Sequence, residues 1–103
     1  MNDTTIENGV TIDIKLLNCL NDHGFSFEPT GNNVSPSYYN EELNLSVWIN
    51  WDSLSQRENH KDYSFKYLIS EFEPRTTDLF LFSSDSPAET IGFIKGFEIG
   101  GKK

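Results

Sequence analysis

The chain is expected to fold as an α+β domain: an antiparallel β-sheet meander with an N-terminal and a C-terminal helix packed on one face. Three observations predict this. Apolar residues recur at helical spacing near the N-terminus (Ile12, Leu16, Leu20) and again near the C-terminus (Ile91, Ile94, Phe97). Between them, two stretches alternate apolar and polar residues as half-buried strands do. The chain has 103 residues, room for one domain, 1–103, with 1–10 and 101–103 expected to be loose. Only 36% of residues are hydrophobic, but 14% are aromatic, and such rings bury large areas. Disordered chains are poor in them.

In chain order, the first ten residues are polar, with at most a short edge strand around Ile6 to Val10. A helix is expected from Thr11, which caps it, with Leu17 and Cys19 beside the apolar stripe. His23 and Gly24 mark its end, because glycine accepts the left-handed conformation there. Phe25-Ser26-Phe27 opens a strand that Pro29 closes. Thr30 to Ser37 is rich in turn residues and reads as a loop.

Tyr38-Tyr39, a turn at Asn40-Glu41-Glu42, and Leu43 to Trp51 read as a hairpin. Its second arm is the cleanest signal: Leu43, Leu45, Val47, Ile49 and Trp51 share one face, and Asn44, Ser46, Trp48 and Asn50 the other. After a polar loop, Tyr63 to Ser70 alternates again, with Tyr63, Phe65, Tyr67 and Ile69 on one face. Pro74 ends that strand region. Leu79-Phe80-Leu81-Phe82 is apolar on both faces, which predicts a central strand. Ser86-Pro87-Ala88-Glu89 is a capping box with proline at the first helical position. Gly92 and Gly96 weaken that last helix by about 1 kcal/mol each relative to alanine, unless they form a close-packing face. Gly100-Gly101 is its expected end.

Charge narrows the function. Sixteen acidic residues against eight basic ones give a net charge of −8. No Lys or Arg occurs from Leu16 to Gln56, where Asp22, Glu28, Glu41, Glu42 and Asp52 all fall. Nucleic-acid binding places cations on phosphates, and attraction to anionic membranes also needs them. Neither direct nucleic-acid binding nor membrane binding is expected. The N-terminus lacks the basic and apolar segments of a signal peptide. The single Cys19 allows no internal disulfide framework, so a cytoplasmic location is expected.

Chemistry finds little support. His23 and His60, with Cys19, are too few and too scattered for a zinc site. Ser83-Ser84 has no elbow glycines, no calcium-loop pattern is present, and the glycines form no phosphate-cradling loop. No cofactor, metal or enzymatic activity is expected. Binding is left. Trp48 stands on a polar strand face as a candidate aromatic anchor. Asp52, Glu58 and Asp62 concentrate acid in one loop, and Glu71, Glu73 and Asp78 in the next. Those seven residues are the candidate partner-binding set, their field steering a cationic protein.

In size, acidity, expected compartment and lack of catalytic motifs, the chain resembles the immunity proteins of bacterial contact-dependent inhibition and related toxin systems. The resemblance spans the whole chain loosely and assigns no residue. It implies a small protein-binding inhibitor that neutralises a basic toxin, such as a nuclease, by covering its active site. Charge and size equally fit a phage-encoded inhibitor of a host defence nuclease. A non-inhibitory adaptor or assembly module, or a small-ligand binder with an aromatic pocket, would carry similar composition.

Overall fold

The computed structural model describes residues 3–7, 9–28, 36–52, 64–73 and 80–101, and in its last helix side chains as far as residue 97. Strand β1 (Thr4–Glu7) and strand β2 (Val10–Asp13) form a small antiparallel sheet of their own. Helix α1 (Ile14–Asp22) follows directly. Strands β3 (Ser26–Glu28), β4 (Ser37–Asn40), β5 (Leu45–Ile49), β6 (Tyr67–Glu71) and β7 (Phe82–Ser84) then pair in chain order as an antiparallel meander. Helix α2 (Pro87–Gly101) closes the described chain. The architecture is α+β, as the sequence predicts.

The N-terminus departs from that prediction. Residues 4–7, expected to be loose, pair with 10–13 across a tight turn at Gly9, whose φ is 86°. Ile12, assigned above to the helix stripe, is a strand residue buried at 1% exposure. Asp13 rather than Thr11 caps α1: its Oδ1 accepts the Leu16 N–H at 3.0 Å, the bond that an N-cap carboxylate makes to the third helical residue. Gly24 does end the helix, with φ 80°. Phe25 N–H donates to the Leu20 carbonyl (2.9 Å) and Gly24 N–H to that of Asn21 (3.2 Å), the paired bonds of a Schellman motif.

One row of side chains crosses all five strands of the larger sheet: Phe27, Tyr38, Val47, Ile69 and Phe82. Both helices cover this face. Leu16, Cys19 and Leu20 of α1 and Ile94 of α2 join Tyr38, Leu45, Val47, Ile49, Tyr67 and Ile69 in one core. Along α2, Phe93 stacks on Phe82 (4.8 Å between centroids) and lies 5.9 Å from Phe97.

Two strand assignments shift. β6 begins at Tyr67 instead of Tyr63, which lies outside the described residues. Side chains satisfy the backbone just before it: Asn50 Nδ2 donates to the Phe65 carbonyl, and Asp85 Oδ1 accepts the Lys66 N–H. The apolar run expected to be central enters β7 at Phe82, and among the described residues β7 pairs only with β6, which puts it at the sheet edge. Its double-sided apolarity has another source. Phe82 lies under Phe93, and Leu81 packs against the core from just outside the strand, its N–H on the Ile69 carbonyl. Leu79 is outside the described residues.

The capping box of α2 closes through an intermediary. Ser86 Oγ accepts the Glu89 N–H (3.2 Å), but the Glu89 carboxylate does not return to the Ser86 N–H. Ser84 stands between them, accepting from Ser86 N–H at 2.9 Å and donating to Glu89 Oε2 at 2.6 Å. A methyl group built on Gly92 or Gly96 meets nothing within 4 Å. Among the described residues these glycines therefore form no close-packing face, and nothing described there offsets their helix cost of about 1 kcal/mol each.

Candidate functional site

A meander puts successive connections at opposite ends of the sheet, and this separates the candidate residues. Leu45 at the start of β5 pairs with Glu71 at the end of β6, and Ile49 pairs with Tyr67. At about 3.3 Å per residue, Glu71 and Tyr67 are about 13 Å apart along the strand. Glu71 and Glu73 therefore sit at one end, and Asp52, just beyond β5, at the other. Glu58, Asp62 and Asp78 lie outside the described residues. The described acids of the two loops do not share one end.

The end holding Glu71 and Glu73 is organised by Asn44. This residue closes the four-residue turn between β4 and β5 with φ 57°, a conformation asparagine tolerates better than most side chains. Its carbonyl accepts Phe72 N–H (3.1 Å) and its Oδ1 accepts Glu73 N–H (2.7 Å). Its Nδ2 donates to the Glu73 carbonyl (3.1 Å) and toward Glu71 Oε2 (3.4 Å). The turn is also tied from the other side: Asn40 Oδ1 accepts Leu43 N–H, and Asn40 Nδ2 donates to the His23 carbonyl at the end of α1. The clamp brings together Asp22, Glu41, Glu42, Glu71 and Glu73. All but the half-buried Glu71 are exposed. Beside them Tyr39 and Phe72 stack with centroids 5.1 Å apart, both half-buried. Of the described cations, Lys15 lies in the first turn of α1, Lys66 just before β6, and Lys95 within α2. Lys15 is seven residues from Asp22 along α1 and Lys66 five from Glu71 along β6, so both lie toward the opposite end of their elements from the rim carboxylates.

The opposite end has Lys66 at its centre. Its side chain is only 14% exposed, and its ammonium donates to the Asn50 carbonyl (2.8 Å) and pairs with Asp52. Asp52 also accepts from the Thr11 N–H and hydroxyl, joining the small sheet to the large one. Burial pushes the Asp52 carboxyl up, but the bonds from Lys66 and Thr11 and the nearby ammonium outweigh it, and the group is held below the usual carboxylate range. Tyr67 is shifted upward, first by burial, then by the charges of Asp13, Asp52 and Asp85, against the bond it accepts from Asp13 N–H.

Trp48 stands between these ends, on the face away from the helices, in register with Ser37 and Leu68. Its ring is half-buried and its Nε1–H donates to Ser70 Oγ at 2.9 Å. That bond fixes the indole, so its partly covered position is at least in part structural.

Of the four candidate residues that are described, Trp48, Asp52, Glu71 and Glu73, the last two are brought together and the other two are not. Sequence reasoning missed Asn44, Tyr39, Phe72, Glu41 and Glu42 as members of the same rim. The readable signal was the Asn-Glu-Glu-Leu-Asn turn, whose two asparagines are suited to bonding their own backbone. Among the described residues no group of three or more His, Cys, Asp or Glu side chains is placed to hold a metal ion, and no helix is long and apolar enough to cross a membrane. No family model, curated protein or solved structure matches the chain.

Proposed function

We propose that this chain is a small acidic inhibitor of another protein. In this reading it is an immunity protein or antitoxin that neutralises a basic toxin in the cytoplasm, such as a nuclease, by covering its active site. The observation that carries the reading is the rim of Asp22, Glu41, Glu42, Glu71 and Glu73, gathered at one end of the sheet with described cations elsewhere. A nuclease must be cationic where it holds the scissile phosphate, and a surface of opposite sign both steers the encounter and selects the partner. The Asn44 clamp supports the same reading, since a surface already ordered loses less entropy on binding. Tyr39 and Phe72 add an apolar element of the kind that anchors interfaces.

The test uses the full chain as bait, followed by kinetics with the partner it retains. Binding should weaken steeply with added salt. Glu73→Lys should slow association roughly two- to tenfold, and Glu71→Lys less, because its carboxylate also takes the Asn44 amide. Association rates unchanged in both variants would overturn the rim as the interface. A retained partner without a cationic surface would favour an adaptor instead.

A further inference from the structure

Beyond the rim, no strand among the described residues pairs with the outer edge of the small sheet, and the chemistry of that edge is specific. The Ile14 N–H donates to the Asp3 carbonyl at 2.8 Å, which fixes the phase of β1. Residues 3, 5 and 7 turn their backbone groups toward β2, so those of Thr4 and Ile6 point the other way. Both residues are exposed, Ile6 at 69%, the most open large apolar side chain among the described residues. Neither lysine, proline nor bulge guards this edge, the usual means of keeping strands from adding to one another.

Two occupants compete for such an edge. For a second copy, the antiparallel register that joins Thr4 to its counterpart Ile6 sets Asp3 directly opposite Glu7, and does so twice. Like charges at directly opposed positions destabilise a strand pair, and each copy carries −8. The same geometry selects for the other occupant. A strand with Lys or Arg opposite Glu7 and again opposite Asp3, four residues apart, gains two cross-strand ion pairs. An apolar β-branched residue next to the first cation then faces Ile6.

We infer that the outer edge of β1 is a docking site for an extended basic segment of a partner protein. The segment adds as an antiparallel strand through the backbone of Thr4 and Ile6, with cations at its first and fifth positions. This mode takes affinity from main-chain bonds and selectivity from alternate side chains. It does not depend on the rim, which lies at the far end of the sheet.

The experiment is an amide NMR titration of the full chain with acetyl-Lys-Val-Thr-Val-Lys-amide, against acetyl-Glu-Val-Thr-Val-Glu-amide. Saturable shifts at Thr4 and Ile6 are expected with the lysine peptide and none with the glutamate peptide. Glu7→Lys should weaken binding about two- to fivefold, as one cross-strand ion pair is lost. Ile6→Pro should abolish it with the β2 signals retained, because the lost N–H faces away from β2. Equal shifts from both peptides, or no shift at β1, would overturn the inference. Shifts confined to Glu41, Glu42 and Glu73 would overturn it while leaving the rim reading intact. Shifts at β1 together with a natural partner insensitive to rim reversals would do the opposite.

Discussion

The two ends of the five-stranded sheet are both acidic, but they use their carboxylates differently. At the Lys66 end, Asp13, Asp52 and Asp85 each accept a bond from the chain itself. Asp13 takes the Leu16 N–H, Asp85 the Lys66 N–H, and Asp52 both Thr11 and the Lys66 ammonium. At the turn end the joining is done by a neutral amide. Asn44 holds the backbone of Phe72 and Glu73, while the side chains of Glu41, Glu42 and Glu73 stay exposed. The difference separates acid that builds the fold from acid that is displayed. It also explains why a charge count alone points to too many candidate residues.

The largest expected effect comes from removing the amide. Asn44→Ala places an ordinary side chain at positive φ and deletes three side-chain bonds. Discounting those bonds for their exposure, the loss should be about 2–3 kcal/mol, read as a lower denaturant midpoint with unchanged slope. Asn44→Asp keeps the acceptor for Glu73 N–H and should recover part of the loss. If Asn44→Ala proved neutral, the clamp would not be what orders the rim.

Next in size is the other end. Lys66→Met keeps most of the buried stem but loses the bond to the Asn50 carbonyl and the pair with Asp52. About 1–2 kcal/mol should go, mostly through the less exposed carbonyl bond. Glu73→Lys, at the displayed end, should stay within about 0.5 kcal/mol of the parent. Equal losses in the two variants would erase the distinction between the ends.

How much of this was legible depends on the interaction. The alternation from Leu43 to Ile49 puts the correct face of β5 into the core because period-two patterning is local. Gly24 and the Ser86–Glu89 cap are local too, and both hold. The N-terminal hairpin was equally local but overlooked. Asn8-Gly9 is a strong hairpin dipeptide, while the helical reading rests on Ile12, Leu16 and Leu20, which fit one stripe. All three are buried, so burial agrees with either reading and only the Asp13 cap separates them. The rim was not legible, since it joins residues 22, 41–44 and 71–73 through pairing that no single stretch encodes. The division of Asp52 from Glu71 follows simply from up-and-down topology, once the strands are counted. What sequence cannot give is that Asp52 meets Lys66 and Thr11, contacts spanning 14 and 41 residues.

Asp52 supplies the smallest effect and the sharpest check on the division between the ends. Its carboxyl is held below the usual range in the folded chain, while unfolded it titrates near about 3.9. A depressed folded value means that the ionised group favours folding above the unfolded value. That contribution is lost as pH falls through the folded one. The side chain is about half exposed, at 51%, so solvent screening limits the gain to under about 1 kcal/mol. Asp52→Asn should therefore melt slightly below the parent from pH 5 to 7, with the gap closing as pH drops below about 4. Added salt should narrow the gap at neutral pH, because the attraction to Lys66 is screened. Glu73→Gln, made as the counterpart at the displayed end, should melt with the parent at neutral pH, as an exposed side chain without a fold-building bond does. If Glu73→Gln lost as much at neutral pH as Asp52→Asn, Glu73 would be engaged in the fold as Asp52 is, and the rim would lose its claim to be acid held out for a partner.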